Sequence, residues 1–429
     1  MDSTKALPKT PKHVIFLGAG ASFSSGYPLA SDLRIRMASP DAIWQSIKNG
    51  STFHAEDEVH LRYRAWIQQH ENALKLFREG TFSTVDEFCK LAGRRFADEI
   101  AGLKKVLRLV LGSHNPEDKF EKSDYYAFVQ RLFLPNLHDL RDDIIVISFN
   151  YDVYLDYLLS RAHRIRNSIK TNLPEISKSN PDCLTSGFAN RNTKVLEESD
   201  GFCFLKLHGS IAWPTHTVVN HKRSSHCSYN DFFGERMTNR LTTLISPNVG
   251  NSDSPIVFPW EIIADDNSFI NETDFSCHEK IDEQGLGHGG YIGNISLFHL
   301  FKSIWTRARA EVQSAGKVSF VGLSMHEYLT PALKYLFAKK TGVINLVNAD
   351  DWFKNWPQGT TAHFDPLSPA ARIEELLKKI CPKLRWNEPV NTLPERNPLA
   401  PHQIRVRGSF AEFILKEMNP LTPMVVNKR

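Results

Sequence analysis

His13-Val14-Ile15-Phe16-Leu17 runs directly into Gly18-Ala19-Gly20-Ala21-Ser22, and this junction decides the fold. A short apolar run cut off by a glycine turn reads as a buried parallel strand that opens into a helix. Similar runs return at Ile144–Ile147, Phe202–Leu207, Val318–Val321 and Val343–Val347. Between the last two lies a punctuated helix. Thr330 is its cap, Pro331 takes the first position, Leu333, Leu336 and Phe337 face inward, and Lys339, Lys340 and Gly342 end it. Strand, helix and strand with short connections make a βαβ unit, so the expected class is α/β with a parallel sheet.

Working outward, Ala30-Ser31-Asp32-Leu33 starts a helix, and from about 40 to 139 the texture is helical throughout. Val59, Tyr63, Trp66, Ile67, His70, Ala73, Leu74 and Phe77 recur at steps of three or four, which predicts one helix closed by Gly80. Ser83 or Thr84, followed by Asp86 and Glu87, starts a second. Ile100, Leu103, Val106, Leu107, Val110 and Leu111 carry a third as far as Gly112. The polar stretches 164–200 and 215–256 read as surface insertions, and prolines crowd the chain from Cys381 to Pro401. The expected organisation is a Rossmann-like parallel sheet domain over 1–39 plus 140–380. A helical module is inserted at 40–139, and 381–429 is a C-terminal extension whose residues Ser409–Met418 form a short helix.

Composition excludes several classes. A chain of 429 residues fits about two or three domains, or one domain with large insertions. With 41% hydrophobic and 11% aromatic residues it can build a packed core, so wholesale disorder is excluded. Its 52 Lys+Arg against 48 Asp+Glu leave +4, too weak a charge to argue for direct nucleic-acid binding. No apolar run approaches the roughly 20 residues a bilayer needs, and no signal peptide is read at the N-terminus. Six scattered cysteines (Cys89, Cys183, Cys203, Cys227, Cys277, Cys381) form no C-x-x-C pair, so reduced thiols, a cytoplasmic location and no structural metal are expected.

The polar residues that carry chemistry gather at strand ends. In Gly18–Ser22, backbone N–H groups and a helix start can face a pyrophosphate, or the glycines form a plain tight turn. Phe23 stands where a dehydrogenase fingerprint needs its third glycine. After the second strand come Phe149-Asn150-Tyr151-Asp152: Asn150 can bind a sugar hydroxyl or orient water and Asp152 can accept a proton, or both simply cap the next helix. His208, in Leu207-His208-Gly209-Ser210, can act as a general base or be a satisfied strand-end histidine. Gly322-Leu323-Ser324 can line a sugar or phosphate, or be an ordinary turn, and Asn348 with Asp350 can hold a ribose or be loop residues. In open α/β sheets ligands bind outside the carboxyl ends of the strands, where all of these residues fall.

Taken in order, Gly18–Ser22 with Gly26-Tyr27-Pro28, then Phe149–Asp152, Leu207–Ser210, Gly322–Ser324 and Val347-Asn348 resemble the sirtuin-like superfamily, most closely its bacterial anti-phage defence branch. The resemblance implies that NAD is the substrate, cleaved between nicotinamide and ribose to deplete the cellular pool. It implies that Gly18, Ala19, Gly20 and Ser22 hold the pyrophosphate, with Ala21, Pro28 and Gly322 completing the binding set. Asn150 and His208 would be the catalytic pair, Asp152 would support the nicotinamide ribose, and Ser324 and Asn348 would contact the adenosine half. It further implies a homo-oligomer and a HerA-type ATPase partner. Departures argue against protein deacylation. Leu29-Ala30-Ser31 replace the Asp-Phe-Arg that deacylating sirtuins carry after the glycine-proline turn, and the paired-cysteine zinc module is missing. A deacylase and a non-catalytic NAD or ADP-ribose sensor remain as alternatives, and a dehydrogenase ranks below both.

Overall fold

The computed structural model describes residues 12–49, 57–80, 82, 84–114, 123–132, 141–159, 203–211, 256–275, 280–281, 287–288, 291–292, 295–323, 326–338, 343–348, 353–354, 363–364, 369–380, 403–407 and 410–418. Its centre is a six-stranded sheet of β1 (His13–Leu17), β2 (Ile144–Ser148), β3 (Cys203–Lys206), β4 (Lys317–Val321), β5 (Val343–Asn348) and β6 (Gln403–Arg407). Every neighbouring pair is parallel. Numbered this way, the order across the sheet is 6-5-4-1-2-3. That is the order of a doubly wound dinucleotide-binding sheet, with its switch point between β1 and β4. The expected α/β, Rossmann-like architecture is what the chain adopts.

Alternation along each strand divides the core in two, because successive side chains point to opposite faces. Ile15, Leu17, Ile144, Val146 and Phe204 face one side, where the inserted helices cover them with Ile43, Leu74, Phe77, Leu103 and Leu107. Val14, Phe16, Ile145, Ile147, Leu205 and Phe320 face the other, under Phe301, Trp305, Leu333, Leu336 and Leu377. Both faces are dry, which is why the strands read as unbroken apolar runs rather than alternating ones. The covering helices of the second face are Leu297–Ser314, Thr330–Phe337 and Pro369–Ile380.

Several local expectations are met and some are altered. Thr84 caps the helix Val85–Ala92, its hydroxyl oxygen accepting from the Glu87 amide at 3.1 Å. The helix expected to end at Gly112 spans Ala97–Gly112. The single helix expected through 59–77 is two, Asp57–Gln68 and Glu71–Glu79. The chain tightens between them, with Gln69 and His70 amides donating to Trp66 and Ile67, three residues back. Thr330 is the first helical residue rather than the cap, because a 3-10 turn, Glu327–Leu329, leads into it. Residues beyond 380, expected as an extension, return to the domain: β6 pairs with β5, and the helix Phe410–Glu417 sets Phe410 against Tyr125 and Phe128 of the insert, ring centroids 5.3 and 5.2 Å apart. The expected insertion at 164–200, that at 215–256 apart from the buried Ile256, the proline-rich run to 401, and Lys339, Lys340 and Gly342 lie outside the described residues.

Candidate functional site

The glycines at the switch point are required by backbone crowding. The turn after β1 crosses the turn after β4 so closely that a Cβ on Gly18 would lie 2.5 Å from the Leu323 Cα, and one on Gly322 would lie 2.3 Å from the Ala21 nitrogen. Gly322 also has φ of 61°, in the left-handed region. The Gly18 amide donates to the Val321 carbonyl at 3.0 Å, and that of Gly20 to the Gly322 carbonyl at 2.8 Å. Much of the turn's hydrogen-bonding capacity therefore locks two loops together. Ala19 and Gly20 are partly accessible, whereas Gly18, Ala21 and Ser22 are buried. The following segment turns at Gly26, φ 90°, and buries Tyr27 and Pro28.

From the end of β2, Asn150 reaches back across to β1. Its Nδ2 donates to the Gly18 carbonyl and to Ser22 Oγ, both at 2.9 Å. A carbonyl only accepts, so the Gly18 contact fixes which way the amide faces. Ser22 Oγ donates to Asp152 Oδ2 at 2.7 Å and lies 3.3 Å from the Tyr125 hydroxyl, contributed by the inserted helix Asp124–Arg131. Asp152 Oδ1 meanwhile accepts from the Tyr154 amide at 3.1 Å, capping the helix at 154–159. One carboxylate thus both caps that helix and accepts from Ser22. Burial pushes the Asp152 pKa up, and the Lys206 charge opposes that.

The end of β3 carries two buried groups of different character. Lys206 Nζ donates to Asp156 Oδ2 at 2.8 Å, to Ser210 Oγ at 3.2 Å and to the Asp152 carbonyl. It thereby ties β3 to the segment that follows β2. His208, 4% exposed, has no such bonds: no described group meets hydrogen-bond geometry with either ring nitrogen. Its imidazole lies between two rings, Phe149 edge-on at 5.1 Å and Tyr151 tilted at 5.2 Å. Burial pulls its pKa down to about 3, opposed weakly by the nearby Phe149 backbone. A pKa held that low keeps the ring neutral near pH 7.

No family model and no curated protein matches the chain.

What can be placed is therefore placed by geometry. Asn150, Asp152 and Ser22 meet in one hydrogen-bonded cluster at the switch point, and His208 sits one strand further along, against the residues that flank Asn150. Asn348 ends β5, paired with Arg407, and Ser324 lies outside the described residues. Tyr125, Lys206 and Asp156 were missed as site residues, although a lysine inside the run Phe204-Leu205-Lys206-Leu207 signals a buried cation in need of a partner. Among the described residues no group of three or more His, Cys, Asp or Glu could hold a metal ion. No described helix is long and apolar enough to cross a membrane.

Proposed function

We propose that the protein is an NAD+ hydrolase that cleaves the nicotinamide–ribose bond and releases nicotinamide and ADP-ribose, acting in the cytoplasm to deplete NAD in anti-phage defence. The observation that carries this reading is a neutral, buried imidazole packed against Phe149 and Tyr151, the two residues that flank Asn150, at the carboxyl edge of a 6-5-4-1-2-3 sheet. That crevice is where such sheets take dinucleotides. Nicotinamide leaves as a neutral base, so cleavage needs no strong acid. The site must instead stabilise an oxocarbenium-like ribose. In the proposal Gly18, Ala19, Gly20 and Ser22 approach the pyrophosphate, Ala21, Pro28 and Gly322 shape the turn around it, and Ser324 and Asn348 lie toward the adenosine half. Asn150 orients the ribose, Asp152 holds Ser22 and Asn150 in place, and His208 accepts a hydrogen bond from a ribose hydroxyl or the attacking water. With a pKa near 3, His208 is a weak base and serves best as a fixed acceptor.

Purified protein mixed with NAD should release nicotinamide, and Asn150→Ala and His208→Ala should each lower the rate by orders of magnitude. Near-wild-type release from both variants would end the proposal. A second reading, a sensor that binds NAD without turnover, is favoured by the engagement of Nδ2 of Asn150 with Gly18 and Ser22. It predicts tight binding and no product. Acceleration of nicotinamide release by an acetylated peptide would instead favour a deacylase. Self-assembly and docking of a HerA-type ATPase are assigned to the inserted module, whose Leu61 and Leu91 are exposed. A strictly monomeric mass by light scattering would remove the self-assembly.

A further inference from the structure

The inserted helices do more than cover one face of the sheet. Asp86, in the first turn of the helix Val85–Ala92, accepts a hydrogen bond at Oδ1 from the Tyr151 hydroxyl. Tyr151 is one of the two rings that hold His208. The other, Phe149, is fixed in the sheet core against Phe16 at 5.8 Å. Neither imidazole nitrogen meets hydrogen-bond geometry with a described group, so the two flanking rings and the nearby Phe149 backbone are the contacts that bear on its orientation. The insert controls only the Tyr151 side.

Around that contact the insert and the site edge interlock. Thr84 Oγ1 lies 3.4 Å from the Tyr328 hydroxyl, and Lys104 Nζ meets both Glu261 carboxylate oxygens at 2.7 Å. Glu261 in turn accepts from the Phe258 amide at 2.7 Å, and the Phe258 ring lies 6.1 Å edge-on from Tyr151. Asp86 is faced by the Tyr151 and Tyr328 hydroxyls, the Cys89 thiol and the Lys104–Glu261 pair. It is raised to about 6, chiefly by burial.

We infer that Asp86 is a positioning residue for the reaction: by tethering the Tyr151 hydroxyl it presses that ring against His208 and keeps the imidazole dry and fixed. The inserted module thereby sets the state of the site. The inference rests on the role given to His208 above and adds to it a control point 122 residues earlier in the chain.

The test separates the two claims. Full-length protein carrying labelled histidine is titrated by NMR, with the His208 signal assigned by its loss in His208→Gln. The wild-type ring should stay neutral below pH 5. Tyr151→Phe and Asp86→Ala should each raise its midpoint by at least one pH unit, while Asp86→Asn, which keeps an acceptor oxygen, should stay within half a unit of wild type. Nicotinamide release should fall about tenfold in kcat with KM within twofold for Tyr151→Phe and Asp86→Ala, with most of the rate restored in Asp86→Asn. An unchanged His208 titration in both Tyr151→Phe and Asp86→Ala overturns the positioning role, whatever the activity. If the wild type releases no nicotinamide, hydrolysis fails as a function, and the titration still decides whether Asp86 governs the imidazole.

Discussion

Lys206→Met tests whether the ion pair beneath the site holds the two strand ends together. Lys206 and Asp156 are each 1% exposed, and the ammonium also serves Ser210 and the Asp152 carbonyl. Removing the cation leaves the Asp156 carboxylate buried without its counter-charge, which costs about 3–5 kcal/mol in comparable buried pairs. Domains are stable by only about 5–15 kcal/mol, so the loss is a large share of the total. Removing both charges is a different matter. Lys206→Met with Asp156→Leu replaces the pair by apolar groups of similar size and should cost far less than Lys206→Met alone. The assay is urea unfolding followed by tryptophan fluorescence, the chain having eight tryptophans, on wild type, both single variants and the double. A coupling of several kcal/mol across that cycle is expected. The reasoning is refuted if Lys206→Met costs less than about 1 kcal/mol, the level of a solvent-exposed pair, or if the double variant costs as much as the two singles summed.

Two further outcomes follow from the same geometry. His208 has a folded pKa of about 3 against 6.5 unperturbed, so the fold holds it neutral. The stability this gives is complete above pH 6.5 and is lost progressively as pH falls toward 3, amounting to about 2 kcal/mol by pH 5. His208→Gln should therefore lose about 2 kcal/mol less than wild type between pH 7 and pH 5, and equal losses in urea titrations would contradict the burial argument. Gly322→Ala should destabilise by about 1–3 kcal/mol from the positive φ alone, and by more once its Cβ pushes against Ala21. A melting temperature within a degree of wild type would show that the two turns do not cross as closely as described.

Strand positions were legible because strands dry on both faces leave long apolar runs and parallel strands need glycine or polar residues where they end. β6 escaped, since Gln403-Ile404-Arg405-Val406-Arg407 alternates as an edge strand does and follows a run of prolines. The helix Leu297–Ser314 repeats Phe298, Phe301, Ile304, Trp305, Ala308 and Val312 at helical steps, and its Trp305 indole donates to the Leu207 carbonyl, next to His208, at 3.2 Å. The break at Gln69–His70 was hidden because the apolar period continues through it. At the site, the strand-end placement of Asn150, Asp152 and His208 follows from local pattern. The contacts that define their chemistry do not: Ser22 meets Asp152 across 130 positions, and Tyr125 meets Ser22 across 103. Such pairings depend on how the insert settles over the sheet, which no window of sequence contains. The glycines of 18–20 were legible as a tight approach, but what approaches in the fold is the other turn's backbone.

The return of the C-terminal segment has a consequence for truncated chains. The helix Phe410–Glu417 leans on Tyr125, whose hydroxyl reaches Ser22 and Asn150 at the start of the sheet. Residues that follow every described strand thus brace a cluster whose first member lies nearly four hundred residues earlier. A chain cut before Phe410 would lack that brace, leaving Tyr125 without that residue's aromatic ring packed edge-on against it.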